Sequence, residues 1–284
     1  MKTWLGKSLI IVVLVLVAET RGWAQSQPLS FGVIIHRSPT LTAQFWNPIL
    51  RYVSARSGVP LQLKVASTGP EHTAMVGRGT LDFLYSNHNF ITENETSGYR
   101  VFARPLGNAG RGEIVVLADA PIRSLADLEG QEVSFPHTAA FLGYHLPMDV
   151  LLRLRVQVKP LFAGNQEGAI GQLKAGRTIA AGVSAEVMQA FAAREQLAYR
   201  VLWRSEEYLN LALSAHPSIP EAKVQAVRDA FVHMAADPEG AKVLESSAEI
   251  LKQTSPLSFI AAHDSEFDNM RQFYRTTSVH VELQ

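Results

Sequence analysis

Four short segments of the chain carry side chains able to bind an ion or shuttle a proton. They are His36-Arg37-Ser38, Tyr85-Ser86-Asn87-His88, His137-Thr138 with Phe141, Tyr144 and His145 close behind, and Ser184 with Glu186. Neutral imidazoles suit zinc, copper, iron or nickel, and they also donate hydrogen bonds to an oxyanion. The hydroxyls and amides in the same segments are donors for the same anion, and Tyr85 and Phe141 offer ring faces. Arg37 and Arg111 are candidate anion partners. Covalent chemistry finds no support. The chain has no cysteine, no G-x-S-x-G, no H-E-x-x-H, and no carboxylate pair beside these segments. Two readings stand: a non-catalytic site for a small anion, with no cofactor, or a histidine-dependent metal site.

Each segment follows immediately on a predicted strand, at 29–35, 81–85, 131–135 and 179–183. Ligands of open α/β sheets sit past the carboxyl ends of the strands, often at a helix N-terminus. The richest stretch, 124–147, reads as a short helix capped by Ser124, a buried strand, a loop and the start of a second helix. Further strands are predicted at 61–65, 113–118, 156–162 and 209–214. Ser38-Pro39 starts a helix that carries Leu41, Phe45, Ile49 and Val53 at helical spacing and ends at Gly58, with a kink or restart at Pro48. Helices are also predicted at 72–78, 143–154, 166–175 and 221–234, from Asp237-Pro238, and, as a polar C-terminal helix, at 265–274. Only helices are predicted after 214.

This β-α-β series predicts α/β architecture with mostly parallel sheets. Two such units and two crossings, near 113–118 and 209–214, predict two lobes. Residues 25–115 with 212–284 form lobe 1 and 116–211 form lobe 2, joined by a two-strand hinge with a ligand cleft between them. Residues 1–24 read as a signal peptide: Lys2 and Lys7, an apolar run over 9–18, and small residues up to Ala24. Cleavage near Ala24 places the mature chain in the periplasm, and the missing cysteine excludes a lipid anchor there. The whole chain is formally neutral, and the mature part carries about −2. It has no basic stripe for nucleic acid. A monomer is expected.

The segments resemble the phosphate/phosphite/phosphonate substrate-binding family of periplasmic transport proteins. The resemblance rests on FGVIIHRSP, NPILRYVSARSGVPLQL, GTLDFLYSNHNF, APIRSLADLEGQEVSF, GYHLP, LFAGNQEGAIGQLKAG and HPSIPEAKVQAVRDAF with DPEG, in that order. It implies the type II periplasmic binding protein fold. It also implies a small anion as ligand and a membrane permease or a sensor histidine kinase as partner. The family's Ser-Thr-Ser-Gly-Tyr run grips an oxyanion, whereas here Ala140-Phe141-Leu142-Gly143-Tyr144 stands in its place. Each hydrogen bond to a charged group is worth about 1.5–3 kcal/mol, so the lost hydroxyls point to a divergent ligand. The acidic residues that the family tends to carry near Ile179 and Ser184 are also absent.

Overall fold

The apolar runs pair as strands in two separate sheets. The computed structural model describes residues 27–34, 38–107, 109–251 and 255–279. The predicted signal peptide, His36 and Arg37 lie outside the described residues.

The first sheet grows from the parallel trio β1 (Leu29–Val33), β2 (Leu61–Lys64) and β3 (Phe83–Ser86), linked through α1 (Pro39–Ser57) and α2 (Gly69–Gly77). Ser38 caps α1, its hydroxyl accepting the Leu41 amide, and Gly58 closes it at φ 68°. The helix continues through Pro48 as one element, contrary to the expected break. The face formed by Phe45, Trp46, Ile49, Leu50, Tyr52 and Val53 is buried along its whole length, which compensates for the missing amide.

β4 (Arg100–Pro105) completes this first passage. The chain then leaves through β5 (Ala109–Gly110) and enters the second sheet with β6 (Gly112–Leu117). That sheet continues with β7 (Glu132–Phe135), α3 (Leu146–Arg153), β8 (Lys159–Phe162), α4 (Gln166–Lys174), β9 (Ala180–Ser184), α5 (Ala185–Glu195) and β10 (Tyr199–Arg204). Its strand order is β10-β6-β9-β7-β8. The chain returns through β11 (Tyr208–Leu209), which pairs antiparallel with β5 through Tyr208 to Gly110 and Leu209 to Ala109. β12 (Ala212–Ala215), α6 (Glu221–Val232), α7 (Pro238–Ile250), β13 (Phe259–Ala261) and α8 (Asp268–Thr276) finish the first lobe, whose sheet runs β13-β4-β12-β3-β1-β2.

Residues 113–118, expected to be a crossing, fall mostly within β6, an interior strand buried on both sides, and the first crossing lies just before it. β4, β10 and β13 were not expected as strands. Arginines interrupt the first two, and the third is a three-residue edge. Ser124 caps no regular helix. A single 3₁₀ turn (Ala126–Leu128) forms there, and Asp127 Oδ2 accepts the amides of Arg123 and Ser124.

The first sheet packs on α1, α6 and α7 around Phe31, Ile49, Phe83 and Phe231. The second is covered on one face around Val133, Phe135 and Leu151 and on the other around Ile170, Val183 and Met188. No helix among the described residues is long and apolar enough to cross a membrane. Replacing the fully buried Phe31 with alanine should cost about 3–5 kcal/mol. The same change at Leu106, 62% exposed on the first crossing, should cost under about 0.5 kcal/mol. Urea unfolding of the two variants measures the contrast.

Candidate functional site

The carboxyl ends of β1 and β3 in the first lobe, and of β7 and β9 in the second, deliver the candidate residues. In the first lobe the chain turns sharply after Ser86 into a 3₁₀ turn (His88–Phe90). A buried polar network holds that turn. His72 Nε2 is hydrogen-bonded to Ser86 Oγ at 3.0 Å, and Ser86 Oγ accepts the His88 amide at 3.1 Å. The Thr73 hydroxyl donates to the Gly69 carbonyl, so it accepts from His88 Nδ1 at 2.9 Å. Asn94 Nδ2 donates to the carbonyls of His88 and Thr73. Asn87 donates to Asn210 Oδ1 at 2.8 Å, in the segment just after β11. Asn87 Oδ1 and Asn89 Oδ1 are buried with no hydrogen-bond partner among the described residues.

In the second lobe, residues 136–140 link β7 to a π-helical turn (Phe141–His145) that runs directly into α3. Such wide turns are frequent at functional sites. The turn's first amides precede any helical carbonyl that could accept them. His137 and Thr138 are half-buried. His145 is fully buried. Its Nε2 donates to the Thr138 carbonyl at 2.7 Å, so its Nδ1 accepts from the Tyr274 hydroxyl at 3.0 Å. At the end of β9, the Ser184 amide donates to Gln166 Oε1 at 2.9 Å, and a Cβ at Gly143 would lie 2.6 Å from Gln166 Nε2. Only glycine lets the turn approach Gln166 so closely.

The two lobes meet here. A Cβ on Gly69, at the start of α2, would lie 3.8 Å from Ala139 Cβ in the second-lobe loop. This contact brings the start of α2, whose Thr73 holds His88, against the loop that carries His137 and Thr138. Ser38 stands apart as the exposed cap of α1. Tyr85 is buried, with its ring centroid 4.7 Å from that of Trp46. Tyr144 packs between Phe135 and Phe162, both ring centroids 5.2 Å away. Phe141 does not wall an open cleft. It is 3% exposed and packs on Tyr208, Phe273 and Tyr274. Arg111 is held by the Ser205 carbonyl and Glu207, and Glu186 is exposed in the first turn of α5.

His72, Thr73 and Asn94 were not anticipated. The signal was a polar pair, His72-Thr73, inside an otherwise ordinary helix. Among the described residues no three His, Asp or Glu side chains stand close enough to hold a metal ion. Burial pushes the His72 and His145 pKa values down to about 4 and lowers that of His137 as well. These rings are neutral hydrogen-bonding groups at neutral pH.

A family model described as the periplasmic phosphonate substrate-binding protein of an ABC transporter matches residues 31–267. No curated protein matches the sequence. Among solved structures, PhnD1 of Prochlorococcus marinus, in complex with methylphosphonate, superposes with a TM-score of 0.70 at 14% identity, over 87% of this chain and 97% of that one. A binding protein component of a phosphonate ABC transporter from Pseudomonas aeruginosa gives 0.67 at 19%, over 87% and 85%. A Xanthomonas citri protein bound to ATP gives 0.71 at 19%, over 90% and 100%. The shared fold is that of type II periplasmic binding proteins.

The depressed histidines carry a stability consequence. Below the ordinary histidine pKa of about 6.5 the unfolded chain takes up protons that the folded His72 and His145 refuse. Stability from these groups is complete above that pH and is lost as pH falls toward about 4, by about 3 kcal/mol for each ring. The thermal midpoint should drop across this window, and His145→Gln should make the drop shallower.

Proposed function

The chain belongs to the periplasmic phosphonate substrate-binding family of ABC transporters, and from that premise we propose that it closes its two lobes on a small oxyanion, does no chemistry on it, and passes it to a membrane permease. One observation carries this reading. The lobes touch where Gly69, at the start of α2, meets Ala139, and polar residues follow the strand ends of both sheets next to that contact, Asn87 and His88 after β3 and His137 and Thr138 after β7. The ligand contacts are the side chains of these four residues and the first amides of the π-helical turn. Ser86, Tyr85, Tyr144 and Ser184 support them from behind.

Thr138, His137 and the turn's amides supply neutral donors, whereas His88, whose Nδ1–H goes to Thr73, and Asn87 Oδ1 offer acceptors, which favours a ligand of low charge that still carries a proton. The buried, unpartnered Asn87 Oδ1 is an acceptor and suits an anion that keeps one hydroxyl proton, such as a hydrogen phosphonate or a hydrogen phosphite. The apolar Ala140, Phe141 and Leu142 favour a second output, in which the lobes present a closed surface to a sensor histidine kinase with little dependence on ligand.

The test is thermal unfolding of residues 25–284 with phosphate, phosphite, methylphosphonate, sulfate, small carboxylates and divalent metals. A ligand at a hundred times its Kd adds about 2.7 kcal/mol, or roughly 5–10 °C for a chain of this size. The expected result is a shift with one phosphorus oxyanion that disappears in Asn87→Ala and His137→Ala. A shift with metals alone would replace this reading with the histidine-dependent one. No shift with any member of the panel would favour the sensor output.

A further inference from the structure

The two lobes are joined a third time, at the C-terminal end of the chain. α8 follows β13, the edge strand of the first sheet, and one side of the segment is fastened to the first lobe. Phe267 stacks on Phe90 at 4.7 Å, with the rings 11° apart. Arg271 pairs with Asp264 at 2.6 Å and with Glu95 at 3.5 Å, and Arg275 pairs with Glu95 at 3.1 Å. The other side grips the second lobe. Phe273 and Tyr274 lie 5.3 and 5.5 Å from the Phe141 ring. Just beyond the helix, the Thr277 hydroxyl donates to Asp149 Oδ1 at 2.8 Å, Arg153 donates to the Thr276 carbonyl at 3.2 Å, and Val279 is buried in the second lobe's core.

Within this grip a hydrogen-bonded chain reaches the loop at 136–140. The Tyr274 hydroxyl donates to His145 Nδ1, and His145 Nε2 donates to the Thr138 carbonyl. Tyr274 is 7% exposed and His145 is 0% exposed. Water therefore does not substitute for either bond, and losing one leaves a buried polar group unpaired. Phe141, the first residue of the π-helical turn, is held by the same helix.

We propose that α8 with residues 277–279 is a strap that couples the separation of the two lobes to the loop at 136–140, with Tyr274 and His145 acting as positioning residues for Thr138. The first lobe holds one end of the strap and the second lobe's loop hangs from the other. A change in the angle between the lobes therefore pulls on the loop. The functional meaning of the coupling rests on the reading of 136–140 as a ligand loop, but the coupling itself is measurable with no ligand present.

The chain has no cysteine, so Lys64→Cys and Lys159→Cys, both exposed and one on each sheet, can carry the only two spin labels. Pulsed electron resonance then reads the inter-lobe distance, and amide hydrogen exchange reads the loop. Tyr274→Phe should raise exchange at 136–140 about tenfold, the equivalent of one buried hydrogen bond, while exchange elsewhere in the second lobe stays unchanged. Glu95→Lys lies at the far end of the strap and places a cation against Arg271 and Arg275. It should broaden the distance distribution and also raise exchange at 136–140. The coupling is overturned if Tyr274→Phe leaves the loop unchanged or loosens the whole lobe evenly, or if Glu95→Lys affects only its own surroundings. Phe273→Leu, which trims one ring of the grip, is expected to behave as Glu95→Lys does. An unchanged loop there would equally overturn it.

Discussion

The arrangement of the two lobes depends on one patch of excluded water. Phe141 and Leu142 from the second lobe, Phe90 and Ile91 from the first, Tyr208 from the crossing, and Phe273 and Tyr274 from the last helix form a single apolar cluster. Each large side chain buried there is worth roughly 1.5–3 kcal/mol. The paired crossing strands contribute two residues each, too short a ribbon to fix an angle between two domains. The cluster supplies that rigidity. It also removes water from His145, which keeps the imidazole neutral and makes its two hydrogen bonds obligatory.

The same dryness sets the electrostatics of the cleft. Several arginines of the described residues are held in ion pairs, as with Arg111 and Glu207 or Arg271 and Asp264. Among the described residues, the candidate loops of the two lobes carry neutral dipoles: imidazoles, amides and hydroxyls. Preorganised dipoles bind an anion without the large desolvation cost of a buried cation. They also discriminate by geometry and by proton count more than by total charge. Where the resemblance implies a cradle of hydroxyls, this chain has Phe141 and Leu142 in the cluster between the lobes, so the turn proposed to meet a ligand is also one that joins the lobes.

The parallel core was legible in the sequence because its strands are short apolar runs bounded by caps and glycines, as at Ser38, Gly58 and Gly79. Strands whose apolar triplet is bounded by arginines, such as β4 and β10, gave only a short run. β5 and β11 are too short to leave any local signal, since their existence depends on where the lobes bring them. The four candidate loops could be placed because strand ends are visible, but which side chains each loop turns outward could not. Phe141 illustrates the difference. Its position in the motif was clear, whereas its burial depends on Phe273 and Tyr274, more than a hundred residues later. The spacing of Met270, Phe273 and Tyr274 on one helical face was readable. The surrounding charges made that helix look solvated and hid its role.

In the first sheet, β12 lies between β3 and β4 and pairs with both. The strands on either side of it are made early in the chain, yet they share no direct edge. The N-terminal segment can pair β2-β1-β3 but cannot join β4 to them. It must wait, with two open edges, until residue 215 has been synthesised and the whole second lobe has been looped out. A late keystone of this kind slows folding, because a long loop must close before the sheet gains its central strand. The order of synthesis and the order of strands in the finished sheet are therefore decoupled, and the last step of the first lobe depends on the second.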